Sequence, residues 1–288
     1  MMKALPKRCA LRSERRACAV ADKLRVDQAL VRQGLASSRE KAQALIMAGQ
    51  VYRREVKVLK PSEKVEEGEA LTVRGHAHPF VGRGALKLDK ALRVFGADVR
   101  DTVAMDIGAA TGGFTDVLLQ NGARHVYAID VGYGQLDWKI RNDARVTVLE
   151  RTNARYLTHA EVPCVPDITV MDVSFISVRL ILPVAAELME HRGRFYILIK
   201  PQFEAGKENV GKKGVVRDPR IHRQVVEEIA AFAPSFGYLM AQVDFSPVTG
   251  PEGNIEYIAE LLPDASGAAA VTQERIAQVV EQAHATLN

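Results

Sequence analysis

A chain of 288 residues that is 47% hydrophobic and 26% charged has room for one large domain and one small one, each with its own core. No apolar run approaches the ~20 residues that a membrane span needs, and the basic stretch from Cys9 to Val20 is broken by Arg12, Glu14, Arg15 and Arg16, so a signal-peptide core is excluded and a cytoplasmic location is expected. The net charge of +4 is unevenly spread: residues 1–84 hold 18 Lys and Arg against 9 Asp and Glu, and the remainder holds 21 against 26, so a basic front suited to a polyanion precedes a slightly acidic body.

Cys9, Cys18 and Cys164 are odd in number, lack C-x-x-C pairing and have no His at metal spacing, so they read as reduced thiols and no metal site is expected. Residues 1–23 carry clustered arginines without a sustained apolar period and are expected to form a disordered or weakly helical basic tail. The next fifty residues are organised differently. Val26, Ala29 and Leu30 recur at helical spacing, with Asp27 in the first turn and Gly34 as a stop. Ser37 and Ser38 offer an N-cap for a second helix, which has Glu40 in its first turn, Ala42, Leu45 and Ile46 on its apolar face and Gly49 at its end.

Short strand-like pieces follow at 50–52, 57–59 and 70–73. The run R-V-D-Q-A-L-V-R-Q-G-L-A-S-S-R-E-K-A-Q-A-L-I-M-A-G-Q-V, with the later K-P-S-E-K-V-E-E-G-E-A-L-T-V, resembles the S4-like RNA-binding domain over residues 24–73. The resemblance implies that the second helix and the loop into the sheet face RNA, with Arg39, Lys41, Arg53 and Arg54 positioning phosphate rather than reading sequence. Residues 74–84, with Pro79 among Gly and His, read as a linker.

From Ala85 to residue 262 strand-like and helix-like segments alternate, with strands expected at 103–107, 125–130, 146–150, 167–172, 194–200, 239–247 and 254–262. Helices fall between them, as at 114–120 and 221–232, and alternation of this kind makes a mostly parallel sheet covered on both faces. The last two strands, joined by a short turn, are expected to pair as an antiparallel hairpin at the sheet edge. Residues 263–288 read as a tail holding one helix at 273–284.

The stretch A-M-D-I-G-A-A-T-G-G-F-T-D, Ala104 to Asp116, is a strand, a Gly-rich turn and a helix start. Glycines there admit close backbone approach, and the helix N-terminus offers unpaired N–H groups to a nucleoside or carboxylate. Neither G-x-G-x-x-G nor G-x-x-x-x-G-K-[ST] is present. D-x-G-x-x-x-G-G-F-[ST] instead resembles motif I of S-adenosylmethionine-dependent methyltransferases, which implies that S-adenosylmethionine is held around Asp106, Gly108, Ala109, Gly112, Gly113 and Phe114. In open α/β sheets ligands lie beyond the carboxyl ends of the strands. Asp130 at the second strand end is placed to accept the ribose hydroxyls of a bound nucleoside, and Asn153 after the third to meet the adenine.

Asp172 ends the fourth strand in M-D-V-S-F-I-S, and Lys200 ends the continuously apolar fifth, F-Y-I-L-I-K. Such a lysine is forced toward a partly desolvated site, where the neutral amine is favoured. Together G-R-G-A-L-K-L-D-K, D-I-G-A-A-T-G-G-F-T-D, M-D-V-S-F-I-S, I-K-P-Q-F-E and G-N-I-E-Y resemble the TlyA or haemolysin A family of FtsJ-like RNA 2′-O-ribose methyltransferases, over residues 24 to about 262. The resemblance implies a Rossmann-like class I methyltransferase fold, a mostly parallel seven-stranded sheet with one antiparallel edge strand, behind a small α+β RNA-binding domain.

It also implies a Lys-Asp-Lys-Glu tetrad at Lys87, Asp172, Lys200 and Glu256, with Lys200 as the base and the other three orienting its amine and the 2′-hydroxyl. Arg83 stands either on a phosphate of the target or in the linker, and the loop G-K-E-N-V-G-K-K-G-V-V-R-D reads as a mobile substrate cover with Lys207, Lys212, Lys213 and Arg217 near RNA. The implied partners are ribosomal RNA or ribosomal subunits, with cytidine riboses as targets; oligomeric state is left open. Base methylation is the first alternative, although M-D-V-S-F lacks an N-P-P-Y-type strand end. A membrane-lytic haemolysin and a non-catalytic RNA-binding protein are the others.

Overall fold

The computed structural model describes residues 23–287, apart from 37, 48, 55, 67, 74–77 and 251. Most of the expected basic tail and the capping candidate Ser37 lie outside the described residues. The chain divides into a smaller unit that ends at Ala77 and a larger one that starts at His78.

The smaller unit runs β1 (Lys23–Arg25), α1 (Val26–Arg32), α2 (Arg39–Met47), β2 (Val51–Arg53), β3 (Val56–Lys57), β4 (Lys64–Glu66) and β5 (Leu71–Val73). Its core is built from Val26, Ala29, Leu30, Ala42, Ile46, Val51, Val58, Val65 and Leu71. Ser38 caps α2 by accepting the Lys41 N–H at 3.2 Å, and Gly34 and Gly49 end the two helices with φ near +69°. β3, β2 and β5 form one antiparallel sheet, while β1 pairs with β4. No local pattern marks that second pair, because K-L-R and K-V-E each bring a single apolar residue to the core and are otherwise charged.

The larger unit continues with α3 (Ala85–Val94), β6 (Val103–Ile107), α4 (Gly113–Gln120), β7 (His125–Ile129), α5 (Trp138–Arg141), β8 (Val146–Leu149), β9 (Ile168–Met171) and α6 (Leu182–Leu188). It ends with β10 (Arg194–Ile199), α7 (Pro201–Glu204), α8 (Pro219–Phe232), β11 (Tyr238–Phe245), β12 (Tyr257–Pro263) and α9 (Gln273–Leu287). Seven strands form one sheet in the order β11-β12-β10-β9-β6-β7-β8. β8, β7, β6, β9 and β10 are parallel, and β12 inserts antiparallel between β10 and β11, so the terminal hairpin as a whole forms one edge.

Because successive strand residues face opposite sides, the sheet buries two cores. Val103, Met105, Ile107, Tyr127 and Ile129 pack with α6, α8 and α9. Ala104, Val126, Ala128, Val170, Tyr196, Leu198 and Ile258 pack with α3, α4 and α5.

Two segments read as peripheral are part of this unit. Within the expected linker, Phe80 is buried in the same core as Ala85 and Leu88, and the Val81 N–H donates to Asp116 at 2.9 Å. In the stretch taken as a tail, Ile276, Val279, Val280 and Ala283 of α9 enter the core. The apolar spacing of α9 marked a helix but not the surface that receives it. Among the described residues no helix is long and apolar enough to cross a membrane.

Candidate active site

The alternation that builds the α3 face also gathers the polar residues. Leu198, Val170 and Ile258 point to that face, and two positions further along each strand line the same parity carries Lys200, Asp172 and Glu256 there. The last paired residues of β10 and β12 are Ile199 and Tyr257, so Lys200 and Glu256 fall side by side where the pairing ends. Lys87, on the buried stripe of α3 with Leu88 and Ala91, completes the group from above the sheet.

Asp172 bridges the two lysines: Oδ1 lies 2.5 Å from Lys200 Nζ and Oδ2 lies 3.1 Å from Lys87 Nζ. Lys87 Nζ also donates to Glu256 Oε2 at 2.7 Å, and Lys200 Nζ donates to Ser174 Oγ at 2.9 Å. Lys87, Lys200 and Glu256 are buried. Burial opposes the charge on Lys87, but Asp172 and Glu256 outweigh it and hold its pKa above the ordinary value. Burial pushes the Asp172 carboxyl up, and the Lys87 and Lys200 cations more than offset it, so its pKa lies below the usual range. Lys87 thus faces two carboxylates and Lys200 one carboxylate and one hydroxyl.

A cavity of about 670 Å³ opens over this group, lined by Gly84, Lys87, Gly108, Phe114, Asp172, Lys200, Asn254 and Glu256 among others. A second, of about 290 Å³, shares Gly108, Ala110, Asp172, Ser174 and Phe175 with the first and extends to Asp130, Thr152 and Asn153. A cleft of that size with few convergent polar groups suits a small ligand.

The Gly-rich turn forms the wall between the two, but several of its residues work differently from expectation. Gly108 and Ala109 line the cleft, yet both N–H groups bond the Ile129 carbonyl, at 2.9 and 3.1 Å. At Gly108 a Cβ would stand 2.7 Å from the Asp172 carbonyl oxygen, so glycine there lets β6 and β9 end side by side. Gly113 and Phe114, at the start of α4, border the larger cavity.

Asp106 and Gly112, placed among the cofactor contacts by resemblance, line neither cavity. Asp106 shares the parity of Ala104, so it points under α4, where Oδ2 accepts the Thr115 N–H at 2.9 Å and its hydroxyl at 2.6 Å. Gly112 packs beneath α5, where a Cβ would meet Leu136 at 2.8 Å and Ile140 at 3.2 Å. Asp130 borders the second cavity while Oδ2 accepts the Ala110 N–H at 2.8 Å and Oδ1 the Gly132 N–H at 2.7 Å. Asn153 caps a short helical turn through the Arg155 N–H at 3.1 Å and lines the same cavity.

Residues placed near RNA are spread over both units. In the smaller one, Arg39 Nε donates to the fully buried Asp27 at 3.0 Å, alongside Arg25 and Gln43, so this cation also serves the fold. Arg53 lies 3.6 Å from Glu69, while Lys41 and Arg54 are exposed. In the larger unit Arg83 donates to the Thr249 carbonyl at 2.9 Å, which ties the entry of α3 to the β11–β12 turn.

Lys207, Lys212, Lys213 and Arg217 are exposed on a loop that borders the cleft through Val210 and Gly214. That loop is anchored rather than free. Val215 and Val216 are buried, Asn254 Oδ1 accepts the Val216 N–H at 3.2 Å, and Asn254 Nδ2 donates to Gly214 O at 2.9 Å. His222, whose pKa burial lowers to about 4, bonds the Val216 carbonyl at 2.9 Å and the Tyr257 hydroxyl at 2.9 Å. His284 of α9 lies 3.0 Å from the same ring.

Sequence reasoning passed over Ser174, Asn254, Gln202 and Glu204, although each sits inside a quoted stretch. Glu204 accepts the Ser177 hydroxyl at 2.6 Å and the Val178 N–H at 2.8 Å, joining the segment after Asp172 to the helix after Lys200. Burial raises its pKa.

Seven strands in this order, an antiparallel strand beside the edge, and a lysine–carboxylate cluster at the carboxyl ends define a Rossmann-like class I methyltransferase. A family model described as FtsJ-like methyltransferase matches residues 80–261, and one described as the S4 domain matches residues 24–71. The chain belongs to the FtsJ-like methyltransferase family and carries an N-terminal S4 domain.

It is 50% identical to a candidate rRNA methyltransferase, YqxC, of Bacillus subtilis, over 92% of this chain and 95% of that one. It is 46% identical to the 16S/23S rRNA (cytidine-2′-O)-methyltransferase TlyA of Mycobacterium tuberculosis, over 83% of this chain and 89% of that one. A solved structure from Streptococcus thermophilus, described as a candidate hemolysin, is 44% identical, with a TM-score of 0.73 over 92% of this chain and 96% of that chain.

Proposed function

We propose that this protein transfers a methyl group from S-adenosylmethionine to the 2′-hydroxyl of a cytidine ribose in ribosomal RNA, in the cytoplasm. The observation that carries the reading is the sharing of Asp172 between two buried lysines at the wall common to both cavities. S-adenosylmethionine would lie along the Gly-rich turn, its ribose toward Asp130 and its adenine toward Asn153, and would supply a methyl on a sulfonium. The shape of the cleft and the oxygens of Asp130, which keep lone pairs beyond their two backbone bonds, fit that group.

A ribose hydroxyl is a very weak acid, so the displacement needs a base in line of approach. Lys200, as the neutral amine, would take the hydroxyl proton onto Nζ, and the bound donor would supply the methyl group that the oxygen takes up. Lys87 stays charged between Asp172 and Glu256 and steadies the oxygen as negative charge develops on it. Asp172 holds both amines in register. The unit ending at Ala77 and the exposed cations Arg83, Lys212 and Lys213 would bind rRNA through phosphate. Labelled methyl transfer to purified ribosomal subunits, followed by location of the modified nucleotide, tests the reading. A 2′-O-methyl ribose is the expected product, and label on a base would refute it.

A further inference from the structure

We infer that Ser174 is a positioning residue that aims the lone pair of Lys200 at the substrate hydroxyl; this rests on the reading of Lys200 as the base. The inference comes from the hydrogen inventory of the amine. A charged lysine has three donors, and the neutral form has two donors and one lone pair in a tetrahedral arrangement. Lys200 Nζ has two acceptors within reach among the described residues, Asp172 Oδ1 at 2.5 Å and Ser174 Oγ at 2.9 Å. In the neutral amine these two acceptors take both hydrogens. The lone pair is left with the remaining direction, and Lys200 lines the larger cavity.

Lys87 offers the contrast. Its two acceptors are both carboxylates, an arrangement that favours the cation and leaves a donor, not a lone pair, for the third direction. The hydroxyl at Ser174 therefore separates the two lysines: it accepts a hydrogen without adding a second negative charge beside Lys200. The position follows from register. β10 pairs with β9 through Ile197 and Met171, so three residues further on Lys200 comes level with Ser174. Ser174 is exposed, borders both cavities and is held in place from beyond by the Glu204 bonds to Ser177 and Val178.

Without the hydroxyl, one hydrogen of the neutral amine remains on Asp172 and the other is free to turn. Its best acceptor is then the substrate 2′-oxygen itself, and donating to that oxygen points the lone pair away from the proton to be removed. Each productive encounter must break that bond, which amounts to roughly a tenfold loss in the methyl-transfer step.

The test is single-turnover methyl transfer to purified ribosomal subunits by the full chain, with S-adenosylmethionine and subunit affinities measured in parallel. Ser174→Ala is expected to slow transfer roughly tenfold with both affinities within about twofold. Ser174→Thr, which keeps the hydroxyl, is expected to recover most of the rate. An alanine variant as fast as the unaltered protein overturns the inference. So does a threonine variant as slow as the alanine one, because the hydroxyl would then not be the operative group. No transfer by the unaltered protein to either subunit would overturn the functional reading, and the inference with it, and that control tells the two failures apart.

Discussion

Lys200 Nζ lies 2.5 Å from Asp172 Oδ1, while the other oxygen of the same carboxylate is committed to Lys87 at 3.1 Å. One side chain therefore sets the separation of two buried amines. Asp172→Asn keeps the shape and removes the charge. Lys200 is then left without a carboxylate, and Lys87 keeps only Glu256. Breaking a buried pair on one side costs about 3–5 kcal/mol, and some of that is relieved here by the remaining acceptors. The variant is expected to lose at least ~2 kcal/mol of stability and ~100-fold or more in methyl transfer, read from denaturant unfolding and from turnover. Transfer within a few-fold of the unaltered protein would exclude Asp172 from the charge balance of the site.

Asp106 is fully buried with Oδ1 lacking any hydrogen-bond partner, and burial raises its pKa from 3.8 to about 7 despite the two bonds from Thr115. A carboxyl with a raised folded pKa favours folding in its protonated form. Its contribution is therefore complete below 3.8 and is lost as pH rises toward 7. Asp106→Asn removes the ionisation and keeps an acceptor for Thr115. The stability difference between the variant and the unaltered protein is expected to move in the variant's favour across that interval, by up to about 4 kcal/mol, and to level off above it. Urea unfolding at a series of pH values checks this, and a difference independent of pH would contradict it.

The fate of Asp106 marks what a strand–turn–helix motif can convey. The acid at the strand end was legible, but its side followed from the parity of β6, which a five-residue run buried on both faces does not reveal. Asp172 and Lys200 were easier, because Lys200 follows the apolar run F-Y-I-L-I and Asp172 follows I-T-V-M, in which threonine is the one polar residue, so a charge stands out at each strand end. Ser174 and Asn254 were not legible. Their importance lies in which residue stands opposite, and that depends on register and on a loop returning from Gly211 to Val216. The body, read to stop at 262, runs on through α9, whose packing against the unit no local pattern specifies.

Asn254 is buried and spans the loop with both ends of its amide, 3.2 Å to Val216 N and 2.9 Å to Gly214 O. Asn254→Ala leaves those backbone groups without partners at a cost of about 1–3 kcal/mol. The loop is expected to open, so trypsin should cut after Lys212 and Lys213 several-fold faster than in the unaltered protein. Equal cutting rates would mean that the buried Val215 and Val216 alone retain the loop.

In the smaller unit, Arg39 and Lys41 are neighbours on α2 with different predicted behaviour. Arg39 pairs with Asp27, whose carboxyl is held far below its usual range by the Arg25 hydrogen bond first and by Gln43 and Arg39 besides. Arg39→Ala is expected to lower both RNA affinity and the thermal midpoint of this unit, whereas Lys41→Ala lowers affinity and its salt dependence with the midpoint unchanged. Calorimetry and binding titrations at two salt concentrations separate them. Equal midpoints would contradict the structural role of Arg39.

The assignment of Lys200 as the base is tested most directly by Lys200→Ala, assayed for single-turnover methyl transfer to ribosomal subunits together with S-adenosylmethionine binding. Binding is expected within a few-fold of the unaltered protein, with no measurable 2′-O-methyl ribose. Near-normal methyl transfer by that variant would contradict it.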